Sequence, residues 1–231
     1  MNTLTVEDLS LELRWSGRRR TVELTVERDG ALVLKAPEGT DEALLADFVR
    51  EKRMWVYTKL AEKEALTVEV PQREYVSGEG FHYLGRSYRL LLVDEQDTPL
   101  KLEAGRFRLL RSETGRGREH LVRWYTNHAR AWLRRRSGPW AARMGVEPKS
   151  IDVRDLGYRW GSCGQSGTVN FHWKTILLPA TIVDYVIVHE LAHLIEANHT
   201  PEFWTRVERA MPDCVRRKEW LAENGAEYGV L

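Results

Sequence analysis

The sequence predicts an α+β fold: a β-rich N-terminal part over residues 1–112, followed by a helical, metal-binding part over residues 113–231. Three observations predict it. Residues 4–36 alternate apolar and polar side chains in the manner of strands, as in LSLELRW, RTVELTVER and ALVLKAP. From Glu119 to about Met144 the apolar spacing is that of one long helix. Finally, Val186 to Trp204 reads VIVHELAHLIEANHTPEFW, with three of the chain's seven histidines inside eleven residues.

In chain order, Asp29-Gly30 is a hairpin turn signal and Pro37 closes the first strand run. Asp41 opens a helical pattern through about Glu64, with Leu44, Leu45, Phe48, Trp55 and Leu60 on its apolar side. Short strands return between Thr67 and Leu110, notably FHYLGRSYRLLLV and FRLLR, punctuated by Gly78, Gly80, Gly85 and Pro99. No internal repeat shows in the sequence. The polar run Arg111–Arg118 is the natural domain junction. The long helix after it carries Leu121, Trp124, His128, Trp132 and Leu133 on its apolar side, with Gly138-Pro139 as a point of interruption. Ile151–Leu156 and Thr168–Trp173 read as strands, with a turn at Gly161–Gly164 between them. A metal-binding helix follows, then one from Pro201 to about Met211 and a last one ending near Asn224-Gly225.

At 231 residues the chain can bury one larger core or two small ones, and 42% hydrophobic with 30% charged residues is ordinary for a soluble globular protein. A net charge of +1 argues for neither nucleic acid nor membrane as a global partner. Two cysteines, Cys163 and Cys214, exclude a disulfide framework and suit a reducing compartment. The N-terminal stretch lacks the apolar core of a signal peptide, and no apolar run is long enough for a membrane span. A cytoplasmic location is the expectation.

The chemistry sits in HExxH. Positions four apart on a helix lie about 40° from one another, so His189 and His193 share a face and can hold two corners of one zinc ion. Glu190, one step along, can take a proton from water at the open corner. His199 would lie about 240° round a continued helix, so the helix must stop and turn if this residue is to be the third ligand. Asn198 is a plausible terminator, and Thr200-Pro201 reads as N-cap and first residue of a new helix.

These residues also carry a family resemblance. The run Arg159-Trp160-Gly161-Ser162-Cys163, then Asn170, Pro179, Asp184-Tyr185, HELAH, Asn198-His199 and Phe203-Trp204 resembles the YgjP-like metallopeptidases, relatives of the SprT-like and WLM families. RRRTVELTVERDG and Lys52-Arg53-Met54-Trp55 extend the likeness over most of the chain. The resemblance implies a zincin-like part around the HExxH helix, one zinc ion held by His189, His193 and His199, and Glu190 as catalytic acid/base. The metzincins place Gly where this chain has Glu196, and Met211 lacks the setting of a Met-turn. A distant glutamate ligand of the gluzincin kind is not indicated either, because the third ligand here is a histidine.

The expected reaction is attack of zinc-bound water on a peptide carbonyl, with Glu190 as general base. Arg159 is the candidate for stabilising the oxyanion, with Asn170 and Tyr158 behind it as candidate substrate contacts. The strand at Thr168–Trp173 either offers an edge to a peptide or is internal. Cys163 reads as a structural thiol, Phe203 and Trp204 as core, and His172 as the one other histidine near enough to support the ligands. Arg18-Arg19-Arg20 and Arg130, Arg134, Arg135 and Arg136, extended by Arg14, Arg116, Arg118 and Arg123, form either a phosphate footprint or a solvated face. Two alternatives to a peptidase acting on peptide or unfolded protein therefore stand: a nucleoside-triphosphate pyrophosphatase using the same metal, and a nucleic-acid-associated module with a structural metal. No membrane partner is expected.

Overall fold

The computed structural model describes residues 2–27, 30–57, 60, 73–157, 159–164 and 166–228. The mixed α+β class holds, and the chain divides into two compact units, residues 1–67 and 68–231.

In the first unit, β1 (Asn2–Val6), β2 (Leu9–Ser16), β3 (Glu23–Val26) and β4 (Leu32–Pro37) form a sheet of order β1-β2-β4-β3. The central pair β2/β4 is parallel and both flanking pairs are antiparallel. Leucine alternation on β2 sends Leu9, Leu11 and Leu13 into the core, against Leu32, Leu34 and Ala36 of β4. Asp41 caps α1 (Glu42–Glu51) by accepting from Ala43 N (2.9 Å). α1 ends at Glu51, where Lys52 leaves helical geometry; helix resumes at residues 53–57 and residue 60 is again helical, and the expected end near Glu64 lies outside the described residues. The core side is Leu45, Val49 and Val56, whereas Leu44 and Trp55, expected there, are exposed. Asp29 of the expected hairpin lies outside the described residues, but Gly30 N donates to Glu27 O with Gly30 at φ +86°, and β3 and β4 pair antiparallel as expected.

In the second unit, β5 (Gly80–Tyr83), β6 (Arg86–Val93), β7 (Leu100–Glu103) and β8 (Arg106–Leu110) form a sheet of order β5-β6-β8-β7. Again the central pair is parallel and the flanks antiparallel. The first sheet's plan is thus repeated, down to a two-residue turn after the first strand and a helix after the fourth. The sequence gives no sign of this repeat. The junction expected at 112/113 falls inside this unit. Arg111–Arg116 is a 3-10 helix running directly into α2 (Gly117–Met144), and Phe81, Leu90, Phe107 and Leu109 share one core with Leu121 and Tyr125 of that helix.

Every fourth residue of α2, from Leu121 through Tyr125, Ala129, Leu133 and Ser137 to Ala141, is buried. The helix runs through Pro139 unbroken. Arg135 and Pro139 both face solvent, where water can take the carbonyl that Pro139 leaves without a donor. Beyond α2, β9 (Ser150–Arg154), β10 (Gly161–Cys163) and β11 (Thr168–His172) pair in the order β10-β11-β9. Gly161–Cys163, expected as a turn, is therefore an edge strand, and the turn falls at residues 164–167, where Gly167 adopts φ +79°. β11 is internal, so the edges of this sheet are β10 and β9 and not the strand at 168–172.

A 3-10 helix (Trp173–Leu177) and Pro179 lead into α3 (Ala180–Ala192), followed by α4 (Pro201–Ala210) and α5 (Cys214–Tyr228). Ile182 to Val188 are buried without interruption, as suits a helix enclosed on all sides. Two devices hold its start. Asp184 accepts from Arg136 at two positions (Nε and Nη2, 2.7 Å each) and from Trp140 Nε1 (3.1 Å), tying α3 to α2. The β5–β6 turn is bonded to the preceding segment through Leu84 N to Ile176 O (2.8 Å) and Gly85 N to Leu177 O (3.0 Å). A Cβ at Gly85 would stand 2.8 Å from Pro179 Cα, so only glycine fits there. Among the described residues no helix is long and apolar enough to cross a membrane.

Candidate metal centre

The ordered part of α3 stops at Ala192, six residues before Asn198. His193 is its C-cap and keeps helical dihedrals (φ −66°, ψ −14°), so it still projects from the same face as His189. The chain then tightens, with Leu194 N bonding to Leu191 O and Ile195 N to Ala192 O, and turns back through Asn198. Thr200 caps α4, its hydroxyl accepting from Phe203 N (3.3 Å), with Pro201 at the first turn as the sequence predicts. His199 is thereby delivered to the corner between the two helices.

The three imidazoles meet. One ring nitrogen from each of His189, His193 and His199 lies within 4.8 Å of the others, and Nε2 of His189 and Nε2 of His199 are 3.0 Å apart. Ligands about 2.05 Å from one tetrahedral ion stand about 3.3 Å from each other, so the spacing is close to that of a bound zinc. Phe203, fully buried, supports all three rings from below, at centroid distances of 5.1, 4.5 and 4.8 Å. Nδ1 of His193 faces the Glu196 carbonyl (3.1 Å), which can only accept, so the proton sits on Nδ1 and Nε2 carries the lone pair. Burial, and then the neighbouring imidazoles, push His189 down to about 3; the same causes lower His199. Both present neutral nitrogens at pH 7. Nδ1 of His189 is buried without a hydrogen-bond partner among the described residues.

Glu190 is buried beside them. Its side chain lies against the backbone of β10, where a Cβ on Gly161 would be 2.6 Å from Glu190 Cγ and 2.7 Å from Oε1. Burial pushes its carboxyl up to about 8, opposed by the charge of Arg159. The glycine of the RWGSC run is thus explained by space for the acid, a role that only the tertiary structure reveals.

The other sequence candidates divide. Arg159 is exposed, and its charge reaches Glu190. Tyr158 lies outside the described residues. Asn170 pairs in register with Ser162, its amide Nδ2 donating to Ser162 Oγ (3.5 Å) and its Oδ1 accepting from Arg154 Nη2. Side chains alternate along β10, so the Ser162/Asn170 pair faces away from the side on which Gly161 meets Glu190. The structure therefore does not bring Asn170 to the acid. His172 Nδ1 accepts from Lys174 N (2.9 Å) and its Nε2 meets Asp155 Oδ1 (3.2 Å), so it caps the 3-10 helix rather than supporting a ligand.

The arginine run of α2 is largely engaged within the fold. Arg134 donates to Ile151 O (3.2 Å), Arg130 to Val153 O (3.4 Å), and Arg136 to Asp184. Arg14 pairs with Glu12, Arg19 with Glu23 and Arg116 with Glu119. For these six arginines a face held within the fold and balanced by acids describes the arrangement better than a phosphate footprint.

A family model described as YgjP-like, metallopeptidase domain, matches residues 20–224. Among solved structures, the crystal structure of the metallopeptidase zymogen of Pyrococcus abyssi abylysin is similar at 24% sequence identity and a TM-score of 0.34, over 38% of this chain and 86% of that one. None of the curated proteins matches. With the matched region running from the first sheet through the three histidines and into α5, the chain belongs to the YgjP-like metallopeptidase family.

Proposed function

We propose that the chain is a zinc-dependent peptidase of the zincin type, with His189, His193 and His199 as ligands and Glu190 as general acid/base. The observation that carries this reading is the convergence of three imidazoles beside a buried carboxyl group. The donor set suits zinc: three nitrogens surround one point, and no fourth donor joins them among the described residues, which leaves a coordination position open. Zinc bound there supplies Lewis acidity, bringing the pKa of a water towards about 7 and polarising a carbonyl oxygen.

The chain's own residues do the rest. Glu190 takes the proton of the attacking water and returns it to the departing amine. Arg159 favours the ionised carboxylate that this role needs, and the same charge would stabilise negative charge developing on the substrate. The Glu196 carbonyl fixes the His193 tautomer. β10, at the sheet edge next to Glu190, offers unpaired backbone to an extended peptide. The pyrophosphatase and nucleic-acid readings are less well supported, because three of the four α2 arginines they drew on, Arg130, Arg134 and Arg136, bond within the fold.

The test is Glu190→Gln. The variant should retain one zinc per chain and lose at least about a hundredfold in cleavage of a denatured protein, the lower range for removing a general base. Wild-type turnover by the variant, or zinc-loaded wild type that cleaves no peptide, would overturn the proposal.

A further inference from the structure

Two cations, Lys218 and Arg159, border the histidine cluster, and neither forms an ion pair among the described residues. Lys218 of α5 holds Nζ 4.3 Å from the ring centroid of Trp204. That indole in turn stacks on His199 (5.9 Å, 27°) and stands 6.0 Å from His189. The ammonium is therefore carried over the aromatic wall of the imidazole cluster. It is exposed and forms no ion pair among the described residues, and its charge helps hold His189 and His199 in their neutral forms. Arg159 approaches from the β10 side. It too is exposed and without an ion pair among the described residues, two positions before the glycine that touches Glu190.

Glu196 accepts from Asn198 N (3.4 Å), and Glu219, next to Lys218 in sequence, lies about 100° round the helix from it; neither forms an ion pair with Lys218 or Arg159 among the described residues. Glu190, whose carboxyl feels the charge of Arg159, is the acid beside the histidines, and a bound dication would add positive charge to the same side. A cleft of one sign concentrates ligands of the other.

We propose that this site selects acidic polypeptide: Lys218, over the Trp204 wall, and Arg159, on the Glu190 side, receive aspartate or glutamate side chains that flank the bond at the metal, and basic side chains are repelled. The inference rests on the peptidase reading for the bond that is cut, but not for the preference in charge. A lysine that merely covers Trp204 would leave the substrate's charge without effect.

The experiment uses full-length, zinc-loaded wild type, Lys218→Glu and Lys218→Met. The probes are short peptide hydroxamates that differ only in carrying Glu, Gln or Lys beside the metal-binding group. Binding is read by calorimetry, and cleavage of the matching peptides is read in parallel. Wild type should bind the Glu probe about tenfold tighter than the Gln probe, with the Lys probe weakest, at the low end of what a focused field gives. Lys218→Glu should invert the order, and Lys218→Met should shrink the ratio while the Gln probe binds all three proteins alike. Should Lys218→Glu fail to hold zinc, the Met variant, which keeps the aliphatic stem over Trp204, decides.

Equal binding of the three probes by wild type, or an unchanged ratio in the variants, overturns the proposal. Graded binding without cleavage of any peptide would remove the peptidase reading and leave charge selection standing. Cleavage indifferent to charge would do the reverse.

Discussion

Gly161→Ala is the smallest change that should separate metal binding from catalysis. The added Cβ would stand 2.6 Å from Glu190 Cγ, 2.8 Å from Cδ and 2.7 Å from Oε1. Carbon atoms rest at about 3.5–4.0 Å, so about 1 Å of movement is required. Neither side can give it easily. Gly161 is held in register opposite Phe171, and Glu190 is buried on a helix whose neighbours Val188, Leu191 and Ala192 are also buried. The clash meets Cγ, near the root of the side chain, and not a mobile tip. Gly161 does not adopt positive φ, so room is the sole reason for glycine here.

Overpacking of this kind costs about 1–3 kcal/mol, and misplacing a reacting group by about 1 Å costs about a hundredfold in rate. Gly161→Ala should therefore lower kcat about a hundredfold, lower Tm by a few degrees and leave zinc content at wild-type level. The three are read by peptide turnover, calorimetric melting and metal analysis. Turnover within about threefold of wild type, with an unchanged melt, would refute the argument that the strand's glycine makes the space Glu190 needs.

Two further expectations follow from the supports of the site. Asp184→Ala strands Arg136 and Trp140 Nε1, and because Arg136 is 47% exposed the loss should be about 2–3 kcal/mol, less than for a fully buried pair. Melting should fall by about 5–10 °C with zinc stoichiometry intact; a shift below about 2 °C would show that the α2–α3 tie is dispensable. The second concerns pH. In the metal-free protein Glu190 is pushed up to about 8 by burial, so the folded state holds a proton that the unfolded state releases near pH 4.5. The unfolded state then binds fewer protons in that interval, and stability falls as pH rises from about 4.5 to about 8. Glu190→Gln should flatten this slope in metal-free melts at pH 5 and pH 8.5. Parallel slopes in the two proteins would count against a protonated, buried Glu190.

The convergence of the three histidines was legible because helix geometry turns spacing directly into direction: His189 and His193 share a face, and Thr200-Pro201 announces the restart that brings His199 back to them. What failed was whatever depended on a distant partner. Gly161–Cys163 read as a turn because a three-residue strand with glycine carries no local strand signal, and its justification is a carboxyl group on another element. Leu194, Ile195 and Glu196 are good helix formers, so nothing local marked the end at Ala192. Asn170 and His172 looked available but bond to sheet neighbours, and the arginines of α2 looked like a ligand surface while serving β9 and Asp184.

The repeated sheet plan has a consequence for how such a chain can change over time. In the second copy the two-residue turn at Leu84-Gly85 is fastened by its backbone to the segment that launches α3. In the first copy the corresponding turn, Glu7-Asp8, is fastened by side chains instead: Asp8 to Tyr57 and Arg53, and Glu7 to Arg53. Over time the two turns can therefore fail in different ways: the second is held by backbone groups that a change of side chain leaves in place, whereas the first hangs on Arg53 and Tyr57, and losing either would unfasten it.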